Sequence, residues 1–200
     1  MAAPAAAVRG GERQGAFPRY RSIEPNVAFW RDVFTKYSSR QVVFHDLYHL
    51  DLIYATIDVG DILDGSQPAY RKESMLAKRV DGEIKRLAKL VERIERAKPR
   101  SSEERRIAQM IAKKGRSFDD RGKLSTRIRG QRGLGDQFCD AMERARKYLP
   151  RMREMLASHG VPVELAALPL VESSYRTDAR SHVGAVGMWQ FTRATGRRFL

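Results

Sequence analysis

Glu172 is the residue whose position in this sequence most directly indicates acid–base chemistry. It ends the apolar run of residues 162–171 and is followed by Ser173, Ser174 and Tyr175. A carboxyl group at the end of an apolar element can keep its proton near neutral pH, because burial penalises the ionised form, and can then protonate a leaving oxygen. A helix-terminal glutamate that points to solvent is the alternative that this feature alone leaves open.

A glycine-rich string follows at residues 179–191 and reads Ala-x-Ser-x-x-Gly-Ala-x-Gly-x-Trp-Gln-Phe. Its glycines let the backbone approach a ligand closely. Trp189 and Gln190 offer a flat apolar ring beside an amide, a combination suited to a sugar. A Trp189 that packs in the core of a tight loop remains an alternative, whereas Gln190 has no evident structural role in the sequence.

Two histidines raise the question of a metal site. His45 and His49 are four residues apart and lie beside Asp46 and Asp51. On a helix this spacing would put both imidazoles on one face, but the neighbouring residues are β-branched and aromatic and favour strands. In an extended strand the spacing separates the two side chains by roughly 13 Å, so we expect structural histidines, no metal and no cofactor.

A basic loop with two glycines is the other candidate for ligand binding. Gly130 and Gly133 enclose Gln131-Arg132 and follow Arg127 and Arg129. Such a Gly-x-x-Gly element could cradle phosphates or clamp a nucleic-acid backbone. A loop that enters a helix and needs positive φ explains both glycines without a ligand, and we favour that interpretation.

The elements that must position these residues are mostly helices. Pro25 begins a first helix, and the β-branched and aromatic residues 41–59 favour two short strands or a strand and a loop. Apolar residues at helical spacing predict a long amphipathic helix over 76–94, which Pro99 ends. Ser101 or Ser102 can cap the next helix, completing a helical hairpin.

The second half of the chain is also predicted to be helical. Residues 115–135 form a polar, glycine-rich connector, and a helical run over 138–159 is bent at Pro150 and stopped by Gly160. The fold class is therefore mainly α, with a short strand or hairpin segment in the N-terminal region. We expect a flexible arm at 1–22, a mostly helical region at 23–132 and a separate domain at 133–200.

Positive charge is concentrated in one segment of the chain. The formal net charge is +14, and residues 71–132 hold 21 Lys and Arg against 9 Asp and Glu. A solvated helical face explains this excess, while a surface for an anionic polymer, a membrane or nucleic acid is the alternative. Residues 1–8 lack the basic and apolar regions of a signal peptide, and no apolar stretch is long enough to cross a membrane.

The residues around Glu172 resemble a known family. Glu172-Ser173 followed by the 179–191 string is similar to the first two motifs of the soluble-lytic-transglycosylase family, whose fold is similar to goose-type lysozyme. The helix start at 148–150, the turn at 160–162 and the Leu-Pro-Leu-Val-Glu sequence ending at Glu172 look especially like the D-type membrane-bound lytic murein transglycosylases. The 133–200 domain would then be the first helices of a lysozyme-like catalytic domain.

The resemblance implies a lytic transglycosylase that cleaves the β-1,4 bond between N-acetylmuramic acid and N-acetylglucosamine and leaves a 1,6-anhydro end. Glu172 corresponds to the family's single acid/base, and Ser173 supports the end of its helix. Ser181 corresponds to a serine near the substrate N-acetyl group and Gln190 to a saccharide-binding glutamine, with Trp189 counted beside them as substrate-binding. Thr192 stands where some members carry a Met against the sugar.

The resemblance also implies peptidoglycan strands as the partner and a periplasmic, outer-membrane-associated location in the cell envelope. The basic helices could contact the membrane or the wall surface. The family's later Asn-Ala-Tyr motif and further tyrosines do not occur before Leu200. We therefore expect the chain to end inside the catalytic domain and to release little 1,6-anhydromuropeptide by itself.

Two functions of other classes compete with this interpretation. The basic residues could belong to a nucleic-acid-binding or adaptor protein, or the chain could be a peptidoglycan-binding module without enzymatic activity. The spaced glutamate and Gly-Met-Trp-Gln string is far rarer than a basic helix. We therefore expect an enzyme, and no nucleic-acid partner.

Overall fold

The computed structural model describes residues 16–18, 20–114 and 122–199. The chain divides into two compact units, one formed by Ser22–Arg144 and the other by Ala145–Leu200 with Met1–Arg21. Most of the structure is helical and a small antiparallel sheet lies in the first unit, which confirms the mainly α fold class. Of the predicted flexible arm at 1–22, residues 1–15 and residue 19 lie outside the described residues.

The N-terminal unit places a small sheet between helices. Short 3-10 helices at Arg21–Ile23 and Leu124–Thr126 accompany its main elements. These elements are α1 (Glu24–Thr35), β1 (Gln41–Asp46), β2 (Ile53–Asp58), α2 (Gly60–Asp64), α3 (Ala69–Arg96), α4 (Ser102–Lys114), β3 (Ile128–Arg132) and α5 (Gly135–Arg146).

The predicted helices of this unit are confirmed, and their ends follow from the sequence. Pro25 lies in the first turn of α1, where its missing N–H costs nothing. Helix α3 ends at Arg96, before Pro99. Ser101 begins α4 with a capping box: its Oγ accepts the Glu104 N–H at 3.1 Å, and Glu104 Oε2 accepts the Ser101 N–H at 3.3 Å.

The central strand β1 is buried on both faces. It pairs antiparallel with β2 and with β3 among the described residues. Because side chains alternate along a strand, Val42 and Phe44 pack with Leu87 of α3, while Val43 packs on the opposite face with Val33 of α1. The predicted pair of strands over 41–59 is confirmed, and its apolar run is explained by burial on both faces.

Asp46 and Arg127 form a buried ion pair where β1 ends. Arg127 Nη2 donates to Asp46 Oδ1 at 2.9 Å, and the two side chains are only 3% and 0% exposed. The same oxygen accepts the N–H groups of Tyr48 and His49, each at 2.9 Å, and Tyr54 Oη donates to Oδ2 at 3.4 Å. These hydrogen bonds replace the water that burial removes from the carboxylate.

Strand β3 corrects the sequence-based prediction of a connector over 115–135. Its described part contains Ile128–Arg132, which pairs along β1 with Val42 opposite Arg132 and Asp46 opposite Ile128. Ile128 is the one apolar residue of the strand, so the sequence shows no alternating pattern. The strand forms because its backbone completes the hydrogen-bond ladder of β1.

Gly130 and Gly133 are required by close packing and not by backbone conformation. Neither has a positive φ, so the predicted helix-entry loop with positive φ is wrong. A Cβ on Gly130 would lie 3.0 Å from Val80 Cγ1 of α3. A Cβ on Gly133 would overlap the carbonyl oxygens of Tyr37 and Ser38. Packing against α1, β1 and α3 thus explains both glycines without a ligand.

The N-terminal unit continues past the boundary predicted at residue 132. The N–H of Gly133 donates to Gln41 O at 2.9 Å, and that of Gly135 donates to Tyr37 O at 2.8 Å. These bonds fasten the start of α5 to the α1–β1 region. The compact unit accordingly extends to Arg144.

The C-terminal unit consists of short helices. They are α6 (Leu149–Ser158), a 3-10 helix (Val163–Ala167), α7 (Leu168–Ser173) and α8 (Arg193–Phe199). The predicted bend at Pro150 is confirmed as the break between α5 and α6, with the proline in the first turn of α6. Gly160 follows α6 with a φ of 67°, which explains the glycine stop.

We expect Asp46→Ala to lower the free energy of unfolding of the N-terminal unit by about 3–5 kcal/mol, because the Arg127 guanidinium stays buried without its carboxylate. Urea unfolding followed by fluorescence in a Trp189→Phe background reports on Trp30 of this unit, since the chain has 2 tryptophans. Asp64→Ala is the control: it breaks the exposed ion pair to Arg40 and should cost at most about 1 kcal/mol. Equal losses would contradict the assigned role of the buried pair.

A second prediction compares two glycines. Gly133→Ala should lower the free energy of unfolding by about 1–3 kcal/mol, because its methyl group would overlap two backbone carbonyls. Gly82→Ala should raise it by about 0.5–1 kcal/mol, since Gly82 lies inside α3 and a Cβ there meets nothing within 4 Å. Thermal unfolding measured by circular dichroism distinguishes the two, and a stabilising Gly133→Ala would refute the packing explanation.

Candidate functional site

The apolar run before Glu172 is two short helices instead of the single helical run that the sequence predicts. The 3-10 helix Val163–Ala167 leads directly into α7, and Pro169 lies in the first turn of α7. Proline has no N–H to continue a helix ladder, which explains the division at this point. Within the run Ala166 and Pro169 are buried, whereas Val171 is 70% exposed.

Helix α7 is followed by two residues with left-handed backbone conformation. Ser174 and Tyr175 have φ values of 54° and 59°, which side-chain-bearing residues adopt only where the surroundings hold them. The N–H of Ser174 donates to Leu170 O at 3.2 Å and closes the helix. The buried Tyr175 side chain donates from its hydroxyl to Ala166 O at 2.9 Å, so it anchors the turn that follows Glu172.

The glycine-rich string folds into a compact loop. Arg180 pairs with Val186, and Val186 pairs with Phe191, as isolated antiparallel bridges. The Ser181 hydroxyl accepts the Ala185 N–H at 2.9 Å, which fixes the tip of the loop. The Ser181 hydroxyl proton is not used in that bond and can serve another acceptor.

Ser173 joins the helix end to this loop. Its hydroxyl lies 2.7 Å from the carbonyl oxygen of Met188 and 3.3 Å from that of Pro169. The bond to Met188 holds the segment that contains Glu172 against the Gly-Met-Trp-Gln part of the loop. This is the direct link between the two motifs that the sequence analysis paired.

Gln190 has a structural role that the sequence did not reveal. Its side-chain nitrogen donates to Gly187 O at 2.8 Å and to Ala179 O at 3.3 Å, and its own φ is 52°. The amide group therefore closes the base of the loop, and its oxygen is the atom left for a ligand. Trp189 beside it is half-buried. Binding of saccharide by either residue stays a prediction.

The Glu172 side chain is exposed in this structure. The burial that the sequence analysis expected from the preceding apolar run is thus not provided by the described residues around it. Asp178, the nearest acidic residue along the chain, is exposed and pairs with Arg176 at 3.4 Å. Hydrogen bonding to Arg176 holds the pKa of Asp178 below its usual value.

A groove of about 1100 Å³ runs between the loop and α8. Ser181 lines it, whereas Glu172, Trp189 and Gln190 are not among its lining residues. Two arginines of the groove were not expected from the sequence, although Arg180 lies inside the glycine-rich string and Arg193 lies just after it. The lining is formed by Arg180, Ser181, Val183, Gly184, Val186, Phe191, Thr192, Arg193, Ala194 and Gly196.

The C-terminal segment that forms this site matches a known protein family. Residues 151–200 match the family described as Transglycosylase SLT domain. The C-terminal part of the chain is therefore similar to the transglycosylase SLT domain family. The matched segment contains α7, the Ser173–Met188 hydrogen bond and the whole glycine-rich loop, as the resemblance in the sequence implied.

Curated relatives also match a short part of the chain. The chain is 39% identical over 56 residues to a protein of Alteromonas sp. (strain M-1) named for tributyltin chloride resistance, covering 28% of this chain and 27% of that protein. It is 35% identical over 60 residues to Membrane-bound lytic murein transglycosylase D of Escherichia coli strains K12 and O6:H1, covering 30% of this chain and 13% of theirs. The chain thus spans about a quarter or less of the relatives' length. No solved structure matches it significantly.

The described residues contain no group of three or more His, Cys, Asp or Glu side chains that could hold a metal ion. His45 lies at the buried end of β1 with its Nδ1 2.9 Å from Asp46 O, and burial lowers its pKa. His49 lies in the turn after β1, not in a continuous strand with His45 as the spacing argument assumed. His45 and His49 thus both interact with Asp46 at the end of β1, as residues of the folded N-terminal unit.

We expect Ser173→Ala to loosen the glycine-rich loop, because it removes the hydrogen bond to Met188. A lost hydrogen bond of about 1 kcal/mol corresponds to roughly five- to tenfold faster amide exchange at Ala185 and Gly187. Ser158→Ala is the matched control, since it removes a hydroxyl that bonds Met155 O at the exposed end of α6. Unchanged exchange in Ser173→Ala would show that the hydroxyl does not hold the loop.

Proposed function

We propose that this chain carries the acid/base half of a peptidoglycan lytic transglycosylase site, with Glu172 as its acid and base. The proposal is supported most directly by the family match of residues 151–200, within which Ser173 fastens the end of the Glu172 helix to the Met188 carbonyl. The relative from Escherichia coli is named as a lytic murein transglycosylase, and its substrate class is extended here to this chain.

In the proposed reaction one carboxyl group performs both proton transfers. Protonated Glu172 gives its proton to the glycosidic oxygen between N-acetylmuramic acid and N-acetylglucosamine, and the bond from that oxygen to C1 breaks as an oxocarbenium-like centre forms. The Glu172 carboxylate then takes the proton of the muramic C6 hydroxyl while that oxygen bonds to C1. Glu172 returns to its protonated form, and a 1,6-anhydro end forms without consumption of water.

Because the Glu172 side chain is exposed, we infer that a bound substrate would have to exclude water from it. An acid that donates its proton near neutral pH needs surroundings that disfavour its ionised form. A glycan strand laid across the end of α7 would exclude water from Glu172 and favour the protonated acid. The exposed Val171 beside it offers apolar surface to the same strand.

The other site residues are assigned to substrate positioning. Ser181 has its hydroxyl proton available for the N-acetyl carbonyl, and the Gln190 amide oxygen is available to a sugar hydroxyl. Trp189, which lies beside Gln190, is also assigned to substrate binding. Asp178 is paired with Arg176, so we assign it a role in the turn and not the second carboxylate of an ordinary glycosidase.

We further propose that the protein works at the cell envelope, where its polymeric substrate is found. The relatives from Escherichia coli are named membrane-bound. Among the helices of the described residues, none has the length and hydrophobicity of a membrane-spanning segment. We assign contact with an envelope surface to the basic side chains of the N-terminal unit.

We expect the purified chain to release 1,6-anhydro products from peptidoglycan sacculi slowly, and Glu172→Gln to lower that release by at least about a hundredfold. Mass spectrometry of the soluble products after long incubation at high protein concentration provides the measurement. Glu164→Gln is the matched control, because Glu164 is an exposed acid of the preceding 3-10 helix, and it should stay within about twofold of the original chain. Products with free reducing ends, or equal loss in both variants, would contradict the mechanism.

A chimera tests the same prediction where the chain alone releases too little product to measure. Residues 151–200 would replace the matching segment of the Escherichia coli lytic murein transglycosylase D, which supplies the rest of its own domain. We expect 1,6-anhydro products from the chimera and their loss with Glu172→Gln. A folded chimera that is inactive, with the parent enzyme active under the same conditions, would oppose the proposed function.

A further inference from the structure

Helix α3 carries two kinds of basic side chain. Those on the flank facing α2 and α4 are in ion pairs: Arg86 binds Glu83 at 2.7 Å and Glu103 at 2.8 Å. On the same flank Arg79 pairs with Asp61 and Arg93 pairs with Glu104. The acidic partners neutralise these cations, and the ion pairs link α3 to its neighbouring helices.

The remaining basic residues of the outer face are exposed and form no ion pair or hydrogen bond with any described residue. They alternate with residues that face the sheet, so nothing in the packing of the unit requires their charge. We call this set the basic strip, and it consists of Arg71, Lys78, Lys85, Lys89 and Arg96.

The basic strip is straight. At about 100° per residue the five positions fall within about 20° of a single line along α3, opposite the buried Leu87 and Val91. The line is about 38 Å long, because it spans about 25 steps of the helix at about 1.5 Å each. Helix α3 is continuous from Ala69 to Arg96, so the five charges are held on one rigid rod.

Acidic residues of α3 lie beside the strip and not on it. Asp81 and Glu95 are displaced by about 60° and about 100° around the helix. Glu92 is displaced by only about 40°, but it accepts a hydrogen bond from the Ser125 hydroxyl at 3.2 Å and is thereby directed to the interior side of the unit. The outer line therefore presents positive charge along its whole length.

We propose that the basic strip is a docking surface for the anionic headgroups of a lipid bilayer. A straight row of cations at equal height on a rigid helix matches a plane of negative charge, and long Lys and Arg stems let each charge reach it. Tyr70 and Met75, which are 67% and 45% exposed, flank the N-terminal end of the strip and can enter the headgroup layer. The surface extends the envelope location proposed above, but it does not depend on Glu172.

A nucleic-acid duplex fits the same strip less well. Its phosphates wind around a cylinder, so a straight row of cations meets each strand only where the two cross. The exposed Tyr70 and Met75 beside the strip have no counterpart on a phosphate backbone. The straightness of the row and its apolar neighbours therefore favour the bilayer.

Vesicle co-sedimentation of the full chain tests the proposal. We expect binding to phosphatidylcholine vesicles that contain about 30% phosphatidylglycerol, little binding to phosphatidylcholine alone, and release in about 0.5 M salt. The triple variant Lys78→Gln, Lys85→Gln, Lys89→Gln should bind about a hundredfold more weakly, since each cation near an anionic surface contributes roughly a factor of five. The corresponding triple Lys→Arg variant should bind like the original chain.

A matched control separates the strip from net charge. Lys113→Gln, Lys123→Gln and Lys147→Gln together remove the same charge from exposed sites off the strip and should change binding by less than about threefold. Equal loss in both triple variants, no binding by the original chain, or tighter binding to a short DNA duplex than to the vesicles would overturn the proposal. Glu172→Gln should bind vesicles normally, so failure of this proposal and failure of the proposed enzymatic function are distinguishable.

Discussion

The buried ion pair between Asp46 and Arg127 is the interaction on which the arrangement of the N-terminal unit depends. Removing two charges from water costs several kcal/mol, and the structure offsets that cost only because the carboxylate also receives the N–H groups of Tyr48 and His49. These bonds fix the turn after β1 and bring the start of β3 to the same point. Once β3 is aligned along β1, Gly130 lies beneath Val80, which seats α3 on the sheet. The satisfied carboxylate thus helps to align the strand on which α3 packs, together with the apolar contacts of Leu87 and Val91.

The parts of this unit that the sequence predicts are those specified by local patterns. The apolar stripe of α3, the capping box at Ser101 and the apolar residues of β1 each act within a few positions, and each prediction is confirmed. Strand β3 and the ion pair arise from contacts between residues far apart in the chain. The Asp46 and Arg127 side chains are 81 positions apart, and no periodicity in one segment could indicate that they meet.

At the candidate site the sequence likewise indicated which residues matter but not how the backbone arranges them. The family resemblance identified Glu172, Ser173, Ser181, Trp189 and Gln190, and the structure brings the two motifs together through the Ser173–Met188 hydrogen bond. What the sequence could not indicate is the backbone. Positive φ is expected at glycine, yet here it also occurs at Ser174, Tyr175 and Gln190, each held by neighbouring hydrogen bonds. The same bonds occupy the Gln190 nitrogen, which residue type alone would have offered to a sugar.

The two units are stabilised by different means, and the difference bears on the site. In the N-terminal unit many large side chains such as Tyr54 and Phe44 are completely buried, whereas around the glycine-rich loop Tyr175 is the one large buried side chain among the described residues, beside small ones such as Ala166 and Ala185. Burial of so few side chains contributes little free energy, so the loop depends largely on directional hydrogen bonds between few atoms. Such a structure opens locally at low cost. A substrate that bridges the helix end and the loop would add contacts where burial adds few. Order at the carboxylate would therefore be gained largely on binding, which suits the acid role proposed for Glu172, since that role requires exclusion of water.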